Sequence, residues 1–244
     1  MKKEIYLSAV VPAYNEEKTI KETLLDINNF FANQDYNSEI IVVDDGSCDK
    51  TVAAAKKLKS IIKNLTVLEN KKNCGKGYSV KKGILAANGK FRLFMDADNS
   101  TNIEQIKNFI PFLENGYDAA IGNRDLKESE IKKHQPFYKE VLGGIGNVLI
   151  KLLAVPGIED TQCGFKCFSE KFAEDIFPKL TINRWGFDIE ILALANRFGY
   201  KIKSVPIIWE NKEDGNVRLK DYILTLADLF KIKINLIKKK YDEK

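Results

Sequence analysis

Four short apolar runs, each closed by a polar or acidic cluster and each followed by a helix-like stretch, constrain this chain more than any other feature. Residues 6–11 lead into Tyr14-Asn15-Glu16, residues 39–43 into Asp44-Asp45, residues 65–68 into the loop 70–77 that carries Lys76, and residues 91–95 into Asp96-Ala97-Asp98. Between them lie helical patterns at about 17–31, 49–59 and 78–87. The first places Ile20, Leu24, Ile27 and Phe31 on one face at helical spacing. Asp49 is positioned to cap the second. A further helix over 103–113 and a short strand over 119–121, ending near Arg124, extend the alternation. Strands alternating with helices predict an α/β fold, a three-layer sandwich around a mainly parallel central sheet. Ligands in such sheets bind beyond the carboxyl ends of the strands, where the polar clusters of this chain collect.

The second half is less regular. An amphipathic helix is expected over 138–153, a polar loop or short strand over 160–168, a helix over 187–198, a strand over 202–208 and a long basic helix over 219–240. No repeat or long linker divides the 244 residues. They read as one domain, with residues 1–122 forming a nucleotide-binding half, 123–210 a second half and 211–244 a basic C-terminal helix.

Composition narrows the function. A 44% hydrophobic content supplies a substantial core, and a net charge of +5 is too mild to imply nucleic acid but suits phosphate-bearing ligands or an anionic membrane surface. The cysteines Cys48, Cys74, Cys163 and Cys167, with His134 as the sole histidine, lack zinc-ligand spacing and read as free thiols of a reducing cytoplasm. The N-terminus does not read as a signal peptide. The longest apolar stretch, 141–158, is broken by glycines, Lys151 and Pro156, so it is not expected to span a bilayer. Contact with a membrane would then be peripheral, on the cytoplasmic face. The 219–240 helix is suited to it, with Ile223, Leu226, Phe230, Ile234 and Ile237 near helical spacing and Lys231, Lys233 and Lys238–Lys240 beside them.

The chemistry centres on Asp96 and Asp98, two carboxylates one small residue apart at the end of an apolar strand. Hard divalent cations take oxygen ligands, and Mg²⁺ commonly takes one or two carboxylates together with substrate phosphates. Asp96 and Asp98 are therefore the expected ligands of Mg²⁺ or Mn²⁺.

With Val11-Pro12-Ala13-Tyr14-Asn15-Glu16, Val42-Val43-Asp44-Asp45-Gly46-Ser47, Asn73-Cys-Gly-Lys-Gly77 and Gly122-Asn-Arg124 around this pair, the chain resembles the family 2 inverting glycosyltransferases. Their GT-A fold is a Rossmann-like nucleotide-binding sheet. Asp160-Thr-Gln-Cys-Gly-Phe-Lys166 and Arg184-Trp-Gly-Phe-Asp188 look like the subgroup that glucosylates dolichyl phosphate. The resemblance implies that Pro12, Ala13, Tyr14 and Glu16 line the nucleoside pocket and that Asp44 and Asp45 hold base and ribose. Lys76 would approach the donor diphosphate, Asp96 and Asp98 would bind ribose and metal, and Arg124 would contact phosphate. Asp160, Gln162, Lys166, Arg184, Trp185 and Asp188 would form the acceptor side, with Asp160 and Asp188 orienting its cations. The implied partners are a nucleotide-sugar donor, UDP-glucose before GDP-mannose, and a polyprenyl phosphate acceptor. Such an acceptor is already ionised near neutral pH, so no strong general base is expected, and His134 is given no catalytic role. Two rivals are a sugar nucleotidyltransferase, whose Gly-rich, arginine-containing signature is missing after the first strand, and a non-catalytic nucleotide-sugar-binding module.

Overall fold

A computed structural model describes residues 4–133, 137–212 and 219–242. His134 lies outside the described residues. Seven strands form one sheet: β1 (Leu7–Ala13), β2 (Ser38–Asp44), β3 (Leu65–Glu69), β4 (Phe91–Met95), β5 (Ala119–Asn123), β7 (Phe165–Ser169) and β8 (Ile202–Pro206), in spatial order β3-β2-β1-β4-β7-β5-β8. All neighbours pair in parallel except β7, which runs antiparallel to both β4 and β5. Two short strands, β6 (Glu130–Lys133) and β9 (Ile208–Glu210), make a separate parallel pair.

The inner strands are apolar along their whole length because helices cover both faces. On one face Leu7, Ala9, Val11, Ile40, Val42, Leu93 and Met95 pack with α1 (Ile20–Ala32), α2 (Thr51–Lys57) and α4 (Ile110–Glu114). On the other, Val10, Ile41, Val43, Phe94 and Ile121 pack with α3 (Lys76–Ala86), α5 (Phe137–Leu153), α6 (Glu170–Ile176), α7 (Phe187–Arg197) and α8 (Leu219–Ile237). Successive strand residues thus supply opposite layers.

Several elements differ from the sequence reading. The helix expected over 103–113 is a 3₁₀ stretch, Ile103–Asn108, followed by a fresh start at Ile110. Pro111 falls in the first turn of α4, where a missing N–H costs nothing. The single strand expected over 202–208 divides after Pro206, and its continuation β9 joins β6 instead of β5. The long basic helix ends at Ile237, and Lys239 takes a left-handed conformation with φ 55°. Neither β6 nor α6 is apparent from the sequence pattern.

Candidate active site

The carboxyl ends of β1, β2, β4 and β5 lie on one side of the sheet. Because β7 is reversed, its incoming loop, residues 160–164, arrives at the same side: Met95 pairs with Phe165 and Ile121 with Lys166. This reversal brings the acidic end of β4 beside residues some seventy positions later in the chain.

At the end of β4, the Asp96 N–H donates to the Gly164 carbonyl (3.1 Å), and the Ser100 N–H donates to Asp98 Oδ1 (2.9 Å). Asn99 makes the turn with φ 56°, a conformation that asparagine tolerates better than most residues. Lys76, the first residue of α3, places its ammonium 2.6 Å from Asp96 Oδ1 and lies over the rings of Trp185 (4.8 Å) and Phe94 (5.4 Å). Burial works against that charge, but Asp96 outweighs it and the lysine pKa is raised. Asp98 is pushed above the usual carboxylate range by burial and then by the charge of Asp96. Glu16 is pushed up by burial too; the Thr19 hydroxyl, donating at 2.7 Å, partly offsets this, and Asp98 and Asp96 add to it. Three carboxylates therefore share a region in which Lys76 is the cation that lowers their repulsion. An excess of hard oxygen donors fits Mg²⁺ or Mn²⁺ held by Asp96 and Asp98, with phosphates and water completing the shell. Among the described residues, no group of three or more His, Cys, Asp or Glu side chains is placed to hold a metal by itself.

The neighbouring acids Asp44 and Asp45 do different work. Asp44 Oδ2 accepts from the N–H groups of Gly46 and Ser47 at 3.0 Å each, and its buried Oδ1 has no hydrogen-bond partner. That orphaned oxygen suits a ligand hydroxyl or amide. Asp45 spends both oxygens on the loop 70–75, accepting from Asn70 Nδ2 (2.8 Å), the Cys74 N–H (2.9 Å) and the Gly75 N–H (2.8 Å). It holds the 70–75 loop in place, while Asp44 keeps an unpartnered oxygen. Gly75 is obligatory in that loop: its φ is 104°, and a Cβ there would lie 2.3 Å from the Asn183 carbonyl oxygen. Pro12 and Ala13 are buried beneath the site, whereas Tyr14 is 39% exposed at its rim.

On the far side, Arg124 forms a bidentate pair with Asp160, Nε to Oδ2 at 2.7 Å and Nη2 to Oδ1 at 2.9 Å, and its own N–H donates to Oδ2 at 3.0 Å. Burial would raise Asp160, but Arg124 overrides it and holds the carboxyl below its usual range. The guanidinium also lies 5.4 Å from the Trp209 ring. Gln162 is exposed beside this pair and donates its backbone N–H to Asp160 Oδ1 (3.2 Å). Lys166 requires a correction. Its side chain is 0% exposed, and its ammonium donates to Asp188 Oδ1 (2.6 Å) and to the Cys163 carbonyl (2.5 Å). It is a buried counter-charge for Asp188, not a surface cation open to a phosphate. The exposed cation Arg184 does not join Arg124: its backbone lies against Gly75 and Gly77, and the neighbouring half-buried Trp185 packs over Lys76.

Two residues escaped the sequence reading. Gly164 has no room for a side chain, since a Cβ there would lie 1.9 Å from Asp96 Oδ2. Asp228 of α8 packs onto Gly186, where a Cβ would come within 2.5 Å of the Asp228 Cβ. Gly164 sits inside the Asp160–Lys166 motif, but neither its approach to Asp96 nor the contact of Asp228 carried a local signal.

Comparisons with known proteins place this fold in a family. The description of glycosyl transferase family 2 matches residues 8–177. The chain is 33% identical to a dolichyl-phosphate beta-glucosyltransferase of Trichomonas vaginalis over 96% of this chain and 74% of that protein. It is 38% identical to the enzyme of that name from Dictyostelium discoideum, over 84% and 66%, and 32% identical to that from Saccharomyces cerevisiae, over 95% and 75%. Among solved structures, glucosyl-3-phosphoglycerate synthase of Mycobacterium tuberculosis, in complex with Mn²⁺, UDP-glucose and phosphoglyceric acid, superposes with a TM-score of 0.70 at 19% identity, covering 94% of this chain and 80% of that one. The chain belongs to glycosyl transferase family 2, and its fold is that of the GT-A glycosyltransferases.

Proposed function

We propose that this glycosyltransferase moves a hexose, glucose from UDP-glucose, onto a polyprenyl phosphate of the dolichyl type at a membrane surface. The observation that carries the reading is the pairing of two electrostatic poles across β7. Asp96, Asp98 and Glu16 form a negative pole suited to a cation-bound diphosphate, and Arg124, held by Asp160 at the end of β5, supplies positive charge on the other side of β7. The named relatives, dolichyl-phosphate beta-glucosyltransferases covering most of this chain, support the acceptor class and the sugar.

Mg²⁺ or Mn²⁺ held by Asp96 and Asp98 would supply Lewis-acid neutralisation of the leaving diphosphate. The chain's own residues do the rest. Asp44 Oδ1 meets a donor hydroxyl or amide, and Asp45 keeps the 70–75 wall in place. Asp160 fixes the guanidinium of Arg124 in one orientation, so that its remaining N–H groups face developing or acceptor charge without reorganising. The acceptor oxygen attacks the anomeric carbon in line as the bond to the diphosphate breaks, inverting its configuration. A phosphate monoester has a second pKa near about 6 and arrives ionised, so no side chain need remove a proton.

The test is a donor screen over UDP-glucose, GDP-mannose and UDP-N-acetylglucosamine. Each is offered with polyprenyl phosphate or the matching polyprenol, and the lipid product is read by mass. Hexosyl transfer from UDP-glucose to the phosphate alone is expected. Glucosylation of the free alcohol would overturn the acceptor assignment, and transfer from another donor only would overturn the sugar.

A further inference from the structure

Helix α8 turns an apolar stripe outward. Ile223, Leu226, Phe230, Ile234 and Ile237 are 66%, 38%, 52%, 51% and 70% exposed. Spaced three and four residues apart, they lie on one face of the helix. The opposite face is spent on the protein: Leu229 and Ile232 are buried, and Asn235 Nδ2 donates to the Tyr241 hydroxyl (3.2 Å), which in turn donates to the buried carboxylate of Glu190 on α7 (2.7 Å). An ion pair between Arg197 of α7 and Asp242 pins the turn that follows. The outward stripe is therefore not a core face waiting for its own domain; that face is already used. At 100° per residue, Lys231 and Lys238 fall on one shoulder of the stripe and Lys233 on the other. Of the acidic residues nearby, Asp228 faces Gly186 and Asp242 faces Arg197, both away from the stripe. Helix α5, which packs beside α8, exposes Val148 and Leu152 one turn apart, at 56% and 75%.

We propose that the outward face of α8 lies flat on an anionic lipid bilayer, with Phe230, Ile234 and Ile237 entering the acyl boundary and the flanking lysines meeting lipid headgroups. An apolar centre with cationic shoulders is the pattern of an in-plane interfacial helix. A protein partner with an apolar groove would leave the lysine shoulders unmatched, whereas an anionic lipid surface satisfies both features at once. No helix of the described residues is long and apolar enough to cross a membrane, so the contact is in the plane. At 1.5 Å per residue the helix covers about 28 Å of surface. The inference rests on the membrane acceptor of the proposed function and deepens it. Because Asp228, between the stripe residues Leu226 and Phe230, packs on Gly186, the membrane-bound helix also touches the segment that carries Arg184 and Trp185.

The experiment is flotation of the purified full chain with vesicles of phosphatidylcholine alone or mixed with phosphatidylserine. It is run for the wild type, a triple variant Phe230→Ser/Ile234→Ser/Ile237→Ser, and a triple variant Lys231→Gln/Lys233→Gln/Lys238→Gln. Wild type should float with the anionic vesicles, and each triple variant should lose about a hundredfold in partitioning. Both variants should keep the wild-type far-UV spectrum and thermal midpoint, because the replaced side chains face away from the core. They should also keep wild-type turnover of a short-chain, water-soluble polyprenyl phosphate. Undiminished flotation of the serine variant overturns the proposal. So does a wild-type dimer that the serine variant converts to monomer, because the stripe would then be a self-association surface. If no polyprenyl phosphate is turned over while flotation behaves as described, the proposed function fails and the docking surface stands.

Discussion

Replacing Gly164 with alanine tests the site by adding a single methyl group. The added Cβ would lie 1.9 Å from Asp96 Oδ2 and 2.4 Å from its Cγ, so the carboxylate must retreat by more than an ångström. The backbone at 164 is not left-handed, so the cost falls on Asp96. That movement pulls Asp96 away from Lys76, now 2.6 Å distant, and away from its alignment with Asp98. Misplacing a catalytic group by about 1 Å costs on the order of a hundredfold in rate, equivalent to about 2.7 kcal/mol of barrier. Overpacking should also cost about 1–3 kcal/mol of stability. Initial rates of hexosyl transfer at saturating donor measure the first, and urea unfolding the second. The decisive comparison places Gly164→Ala in an Asp96→Ala background, where the clashing carboxylate is gone and the added destabilisation should vanish. Equal destabilisation in both backgrounds, or wild-type turnover by Gly164→Ala, would refute the claim that this glycine exists to seat Asp96.

Asp98→Ala should lower turnover by about a hundredfold or more, and EDTA should abolish wild-type activity; full activity in EDTA would remove the metal from the mechanism. Asp160→Asn breaks a mostly buried pair and should cost about 3 kcal/mol in urea unfolding at neutral pH. Because Arg124 depresses the folded pKa of Asp160, its contribution is complete above the ordinary carboxylate range and is lost as pH falls through the lower folded value. The gap between wild type and variant should therefore close only in strong acid, and a gap independent of pH would contradict the pairing. Lys166→Met strands a buried Asp188 and should cost about 3–5 kcal/mol, most of it recovered by adding Asp188→Leu. A stable Lys166→Met protein with a raised KM for polyprenyl phosphate would return that lysine to the acceptor.

The strand runs and their polar ends were legible because a sheet covered on both faces writes uninterrupted apolar segments into the sequence, and its ligand edge writes polar ones. The direction of β7 was not, since nothing in residues 160–168 distinguishes an incoming strand from a crossing one. Charged β6 lacks the alternation that marks a half-buried strand. Asp188 was expected to orient a cation and does hold Lys166 from another element 22 residues away, but the complete burial of that lysine was not legible, so it read as an acceptor cation. The separate duties of Asp44 and Asp45 follow from position: Asp44 is the last residue of β2 and Asp45 the first outside it, so their side chains leave in different directions. Gly164 and Asp228 depend on distances between elements that no local pattern encodes.

The reversed strand also dictates the order in which the molecule can be assembled. β5 pairs only with β7 and β8, both of which follow it in the chain, and β4 keeps one open edge until β7 arrives. As the polypeptide leaves the ribosome, a sheet of β3, β2, β1 and β4 can form, but β5 has nothing to join for more than forty residues. An unpaired edge of that kind invites aggregation. A fragment ending at residue 122 should therefore be insoluble or partly unfolded even though it holds both aspartates of the acidic pair, and a soluble, cooperatively melting fragment would show that β5 has another partner. Any chimaera joined near residue 122 must for the same reason carry the β7 segment with it, because β7 lies beyond that point yet is hydrogen-bonded to both β4 and β5, and no linker separates them.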